Sequence, residues 1–172
     1  MDKPAGYGIL THERETYWST RLNSPARAFS VKISTITHAT EDPEKVAQAI
    51  RNLSPGETSL GFIMNRAKGH HGNEIATSVL TIRNAKNAER FLKNIWGGLS
   101  QLDRTDVSSS LASRTDSAGT MFLRIDKQDA LKGRIRLENT DPIKIEISFR
   151  TEPSKRNELM DNIRRTLEEI QD

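Results

Sequence analysis

A chain of 172 residues is long enough for one domain with at most an appended segment. Hydrophobic residues make up 34% of it, which supports a modest core, while the absence of cysteine excludes disulfide scaffolds, thiolate metal sites and a cysteine nucleophile. The 26 Lys and Arg against 23 Asp and Glu leave a net charge of +3, too small to name a partner, and no apolar run reaches the roughly 18–20 residues that span a bilayer. The first 28 residues also lack the apolar centre of a signal peptide, so a soluble, cytoplasmic protein with no membrane partner is expected.

Residues 1–28 carry Pro4, Gly6, Gly8 and Pro25 and no sustained period, and they read as an N-terminal extension ahead of a single domain over 29–172. From Phe29 the pattern changes: Phe29, Val31 and Ile33 alternate with Ser30, Lys32 and Ser34, the pattern of a half-buried strand. Asp42-Pro43 then supplies a cap with proline at the first helical position, and Val46, Ala49, Ile50 and Leu53 follow at helical spacing. Two strands are expected next, over 59–66 with Leu60, Phe62 and Met64 on one face, and over 75–83 with Ala76, Ser78, Leu80 and Ile82 on one face. The glycines of the intervening 68–73 segment make it a hairpin turn.

Asn84 caps a helix whose apolar positions Ala88, Phe91, Leu92, Ile95 and Leu99 recur at three and four, ending near Gly97-Gly98. The polar, Ser-rich stretch 101–119 predicts a short helix around Val107 and Leu111. A strand over 121–125, a helical turn over 126–131 capped by Asp126, a short strand over 134–137 and a strand over 143–149 follow. A last helix runs from about Ser154, with Leu159, Ile163, Leu167 and Ile170 as its buried stripe. Helices interrupting half-polar strands, with one local antiparallel pair, give the α+β class, one sheet face covered and the other open.

His70 and His71 are adjacent in a turn, with only His12 and His38 elsewhere, so no dense ligand set is visible and no cofactor is expected. A metal-dependent hydrolase built on His70, His71 and Asp126 is the weakest of the readings the sequence allows. Phosphate-binding and dinucleotide glycine fingerprints and a zinc-protease helix are absent, which argues against an enzyme. Basic charge is concentrated mid-chain: Arg124, Lys127, Lys132, Arg134 and Arg136 stand against Asp126 and Asp129, while the acids outnumber the bases after residue 137. Arg134 and Arg136 alternate with Ile135 and Leu137, so both should leave the sheet on the same side.

Four blocks carry a family resemblance: Val31-Lys-Ile-Ser-Thr-Ile-Thr-His38-Ala39-Thr40-Glu41-Asp42, Gly69-His-His-Gly-Asn73, Leu123-Arg-Ile-Asp126-Lys127-Gln128 and Asp141-Pro142-Ile143. In this order, over about residues 29–170, they resemble the archaeal RNA-binding family described as a predicted exosome subunit. The resemblance implies a curved, largely antiparallel sheet with helices on one face, similar to large-subunit ribosomal protein five. It also implies non-catalytic RNA binding in RNA processing or decay, with RNA and exosome proteins as partners; a protein–protein adaptor is the alternative. The resemblance carries no established contact residues. Charge and loop chemistry nominate Lys68, His70, His71, Asn73, Arg124, Lys127, Gln128, Lys132, Arg134 and Arg136. Phe62, Phe122 and Phe149 are assigned to the core, so base stacking is not expected and affinity should be mainly electrostatic.

Overall fold

The computed structural model describes residues 25–54, 56, 63–68, 74–150 and 158–170. The chain runs β1 (Ala28–Thr37), α1 (Pro43–Leu53), β2 (Ile63–Lys68), β3 (Glu74–Ile82), α2 (Ala85–Gly98), α3 (Gln101–Ser109), β4 (Thr120–Ile125), α4 (Lys127–Leu131), β5 (Ile143–Phe149) and α5 (Leu159–Glu169). The strands form one antiparallel sheet in the order β2-β3-β1-β5-β4. This is the α+β arrangement expected from the sequence, with β1 at its centre because its alternating Val31, Ile33 and Thr35 can pair on both sides.

Polar side chains start the helices. The Asp42 carboxylate accepts from the Glu44 amide at 2.9 Å with Pro43 in the first turn, and Asn84 accepts from the Asn87 amide at 3.2 Å. Ser100 accepts from the Asp103 amide at 3.1 Å, and Asp126 from the Asp129 amide at 2.7 Å, each satisfying a backbone donor that lacks a helical partner. Two asparagines then tie helices together. Asn52 donates to the carbonyls of Ala130 and Leu131, joining α1 to α4, and Asn94 of α2 donates to the Leu53 carbonyl that ends α1.

One sheet face is covered. Val31 and Ile33 of β1, Leu80 and Ile82 of β3 and the alternate isoleucines of β5 are buried in one cluster with Ile50, Phe91, Ile95 and Ile163 of the helices. Trp96, which the apolar spacing of α2 did not single out, is fully buried there and widens the helix stripe by one position. In front of β1, Ala26 is buried, donates its amide to the Asn162 carbonyl and accepts from the Thr166 hydroxyl, so α5 is anchored by the chain entering the sheet.

The opposite face is open and carries Lys32, Ser34 and Ile36 of β1, Val79 and Thr81 of β3, Lys144 and Glu146 of β5, and Phe122 and Arg124 of β4. Three sequence expectations change here. A register shift between Ala28 and Ser30 takes Phe29 out of the core row and leaves it exposed. Phe122 faces outward between buried Met121 and Leu123, whereas Phe149 is buried as expected. The 134–137 segment makes no ladder; Leu137 alone bridges to Ile125, after a turn at Gly133 whose φ of 73° suits a residue without Cβ. Residues 59–62, 69–73 and 154–157 of the expected strand, turn and helix lie outside the described residues.

Candidate nucleic-acid interface

Strand direction gathers three of the four sequence blocks, and the strand ends that flank the fourth, at one end of the sheet. Thr37 pairs with Ala76, Lys68 with Glu74 and Ile125 with Ile143, so the β1–α1 connection, the strand ends that flank residues 69–73, the start of α4 and Asp141-Pro142 all lie there. The Thr35 hydroxyl donates to the Pro142 carbonyl at 3.1 Å and fastens the last of these to β1.

Lys127 holds this end together from inside. Its side chain is only 6% exposed, and its ammonium donates to the Ile36 carbonyl at 2.6 Å, to Asp141 at 2.7 Å and to Glu41 at 3.0 Å. Burying an ammonium is costly unless its donors are used, and here three acceptors from three segments use them. Asp141 sits at φ 47°, a left-handed conformation that Asp tolerates, and its second oxygen meets His38 Nε2 at 3.1 Å. Lys127 is therefore a structural cation, and the structure removes it from the surface expected to meet phosphate. His38, Glu41 and Asp141 bring potential ligand atoms within 4.8 Å of one another, and the Lys127 ammonium bonds both carboxylates of this cluster.

The other predicted residues divide into three sets. Arg134 and Arg136 do leave the chain together, and both fold onto Asp129: Arg134 Nε lies 3.1 Å from one carboxylate oxygen and Arg136 Nε 2.7 Å from the other. Arg136 also reaches Asp126 at 2.6 Å. These hydrogen bonds, from Arg136 first and Arg134 second, hold the Asp129 carboxyl below the usual carboxylate range, and Asp129 in turn raises Arg136. Glu138 is lowered by the backbone amides of Thr140 and Asn139. Asp126, with one oxygen on the Asp129 amide and the other on Arg136, is thus a cap and an ion-pair partner.

Arg124, Gln128 and Lys132 form the second set. All are exposed, and Arg124 and Lys132 have no carboxylate partner among the described residues. Lys68 closes β2, and His70, His71 and Asn73 lie outside the described residues. Sequence reasoning missed Lys144. It stands directly opposite Arg124 across the β4–β5 pair, exposed and likewise without a carboxylate partner among the described residues. The strand pattern of 143–149 placed it outward, but only the strand pairing shows what lies beside it.

A family model described as RNA binding matches residues 30–149. The chain belongs to this RNA-binding family. The RNA-binding protein PAB1135 of Pyrococcus abyssi is 34% identical over 146 residues, which covers 83% of this chain and 95% of that protein. Among solved structures, protein AF2318 from Archaeglobus fulgidus, of the DUF54 family, is similar with a TM-score of 0.71 at 32% identity, over 81% of this chain and 99% of that one. The DUF54 protein Mth689 from Methanothermobacter thermautotrophicus is similar with a TM-score of 0.66 at 29% identity, over 82% and 98% of the two chains. No helix among the described residues is long and apolar enough to cross a membrane.

Two predictions about this RNA-binding-family chain follow from the ion pairs. Replacing Lys127 by Met leaves Glu41 and Asp141 without their cation and the Ile36 carbonyl without a donor. Because both carboxylates are partly exposed, the loss falls below that of a fully buried pair, at about 2–4 kcal/mol, measured by urea denaturation. A loss under about 0.5 kcal/mol would show that the cluster is ornamental. Asp129 acts through pH. A carboxyl lowered on folding stabilises the folded state above its unfolded value of about 3.9, and that contribution disappears as the pH falls through the folded value. Asp129→Asn is expected to flatten the decline of melting temperature below about pH 4, whereas an unchanged decline would assign the acid sensitivity to other carboxylates.

Proposed function

We propose that this protein binds RNA without acting chemically on it, in the cytoplasmic setting of RNA processing or decay, near the exosome, that the family resemblance implies. Membership of the RNA-binding family supports RNA binding, as does the similarity to the RNA-binding protein PAB1135 of Pyrococcus abyssi. The observation that carries the reading is the Arg124–Lys144 pair. Like charges directly opposite on neighbouring strands destabilise a sheet, and neither cation has a carboxylate partner among the described residues. A bound phosphate relieves that repulsion, and releasing its counterions makes binding favourable and salt-dependent.

Arg124 and Lys144 are the principal phosphate contacts in this account. Gln128 on α4 and Lys132 just after it are further contacts, and Arg134 and Arg136 contribute less because Asp126 and Asp129 already engage them. Lys68, His70, His71 and Asn73 are proposed to read bases or ribose. Titrating labelled RNAs of different sequence at several salt concentrations tests the reading. Arg124→Gln and Lys144→Gln are each expected to lower the slope of log affinity against log salt by about 0.7 and to weaken all sequences alike. Unchanged affinity and slope in both variants would favour the adaptor instead.

A further inference from the structure

An antiparallel sheet with one solvated face ordinarily alternates apolar-in and polar-out. This sheet departs from that rule in one direction. Of the large hydrophobic side chains exposed among the described residues, Ile36, Ile63 and Phe122 lie on the outer side of β1, β2 and β4, Phe29 sits at the β1 register shift, and only Leu102 lies elsewhere. Phe122 is 40% exposed because the strand pleat sends it to the face opposite its buried neighbours Met121 and Leu123. No core contact explains an aromatic there.

Phe122 has an ion-paired acid opposite it and two cations one step further along the face. Arg124 follows two residues along the same face, about 7 Å away at strand spacing. Lys144 is opposite Arg124, and Glu146, opposite Phe122, is engaged by Lys32 at 3.0 Å. The Glu146 carboxylate pairs with Lys32 and forms no ion pair with Arg124 or Lys144. The outer edge of β4 is also closed: the Phe122 amide donates to the Arg114 carbonyl at 2.7 Å, and the Glu138 amide donates to the Arg124 carbonyl at 3.0 Å. Backbone pairing with an added strand is blocked at these positions, so a ligand reaches Phe122 and Arg124 across the face.

We infer that the open face of β4 and β5 is a stacking platform for single-stranded RNA, with one base on the Phe122 ring and the adjoining phosphate between Arg124 and Lys144. The inference rests on the RNA-binding reading and specifies its substrate. An A-form duplex keeps its bases stacked inside the helix and offers such a platform only backbone, whereas an unpaired base has a free π-face for the ring. Single-base stacking tolerates any sequence, so the site selects strandedness and not sequence.

The test measures binding of a labelled single-stranded RNA of about 12 nucleotides, and of the same RNA annealed to its complement, to the full chain and to Phe122→Thr, Phe122→Trp and Arg124→Gln. Thr keeps strand propensity, so the first variant retains the sheet. The expected result is that Phe122→Thr binds the single strand roughly 5- to 150-fold more weakly with an unchanged salt slope, Phe122→Trp restores binding, and duplex binding is unaffected. Arg124→Gln is expected to lower the slope for both RNAs. If the parent chain binds RNA and Phe122→Thr binds the single strand equally well, the platform is overturned and the apolar face belongs to a protein partner, while the RNA-binding reading stands. If the parent chain binds neither RNA, both fall.

Discussion

The Lys127 ammonium is the contact on which this end of the molecule depends. It joins the C-terminal end of β1, the loop before α1 and the segment before β5, and it does so from the first residue of α4. Buried charge is costly, so the acceptors must stay in place for the lysine to remain where it is, and Asp141 keeps a left-handed backbone conformation within that arrangement. With α4 fixed, Asp126 and Asp129 are fixed too. Arg134 and Arg136 then close over them, and the 136–138 segment runs against the outer edge of β4.

The consequence for binding is a separation of charges by task. The cations of the mid-chain cluster read as one patch in sequence, yet Lys127 is internal and the two arginines are shared with carboxylates. What is left free is Lys132 at the end of α4 and, on the face of the sheet, Arg124, which stands beside Lys144 with Phe122 next to them. The covered face carries the core, so residues on the open one can vary with little effect on packing. In the proposed site, function and stability meet at β4 and β5, whose alternate residues would serve both.

Much of this was legible in the residues. The caps at Asp42, Asn84 and Asp126, the alternation of 143–149 and the stripe of α2 all appeared where local spacing places them, because each depends on neighbours within a turn or two. The misplaced residues depend on distant ones. Met121-Phe122-Leu123 is an unbroken apolar run that fixes no phase by itself, and only pairing with β5 turns Phe122 outward. Phe29 left the core row through a bulge that spacing does not announce. Lys127 looked like a surface cation because its partners Glu41 and Asp141 are far away in the chain, and Lys144 went unnoticed because Arg124 becomes its neighbour only through the strand pairing.

The central claim is that RNA meets the open face of β4 and β5. Backbone amide chemical shifts, followed by NMR while an unlabelled single-stranded RNA is titrated into the uniformly ¹⁵N-labelled chain, test it most directly. The account predicts that the largest changes map to Phe122, Arg124 and Lys144 and their neighbours on β4 and β5, with α2 and α5 unmoved. Changes confined to the helical side, with β4 and β5 silent at saturation, would contradict it.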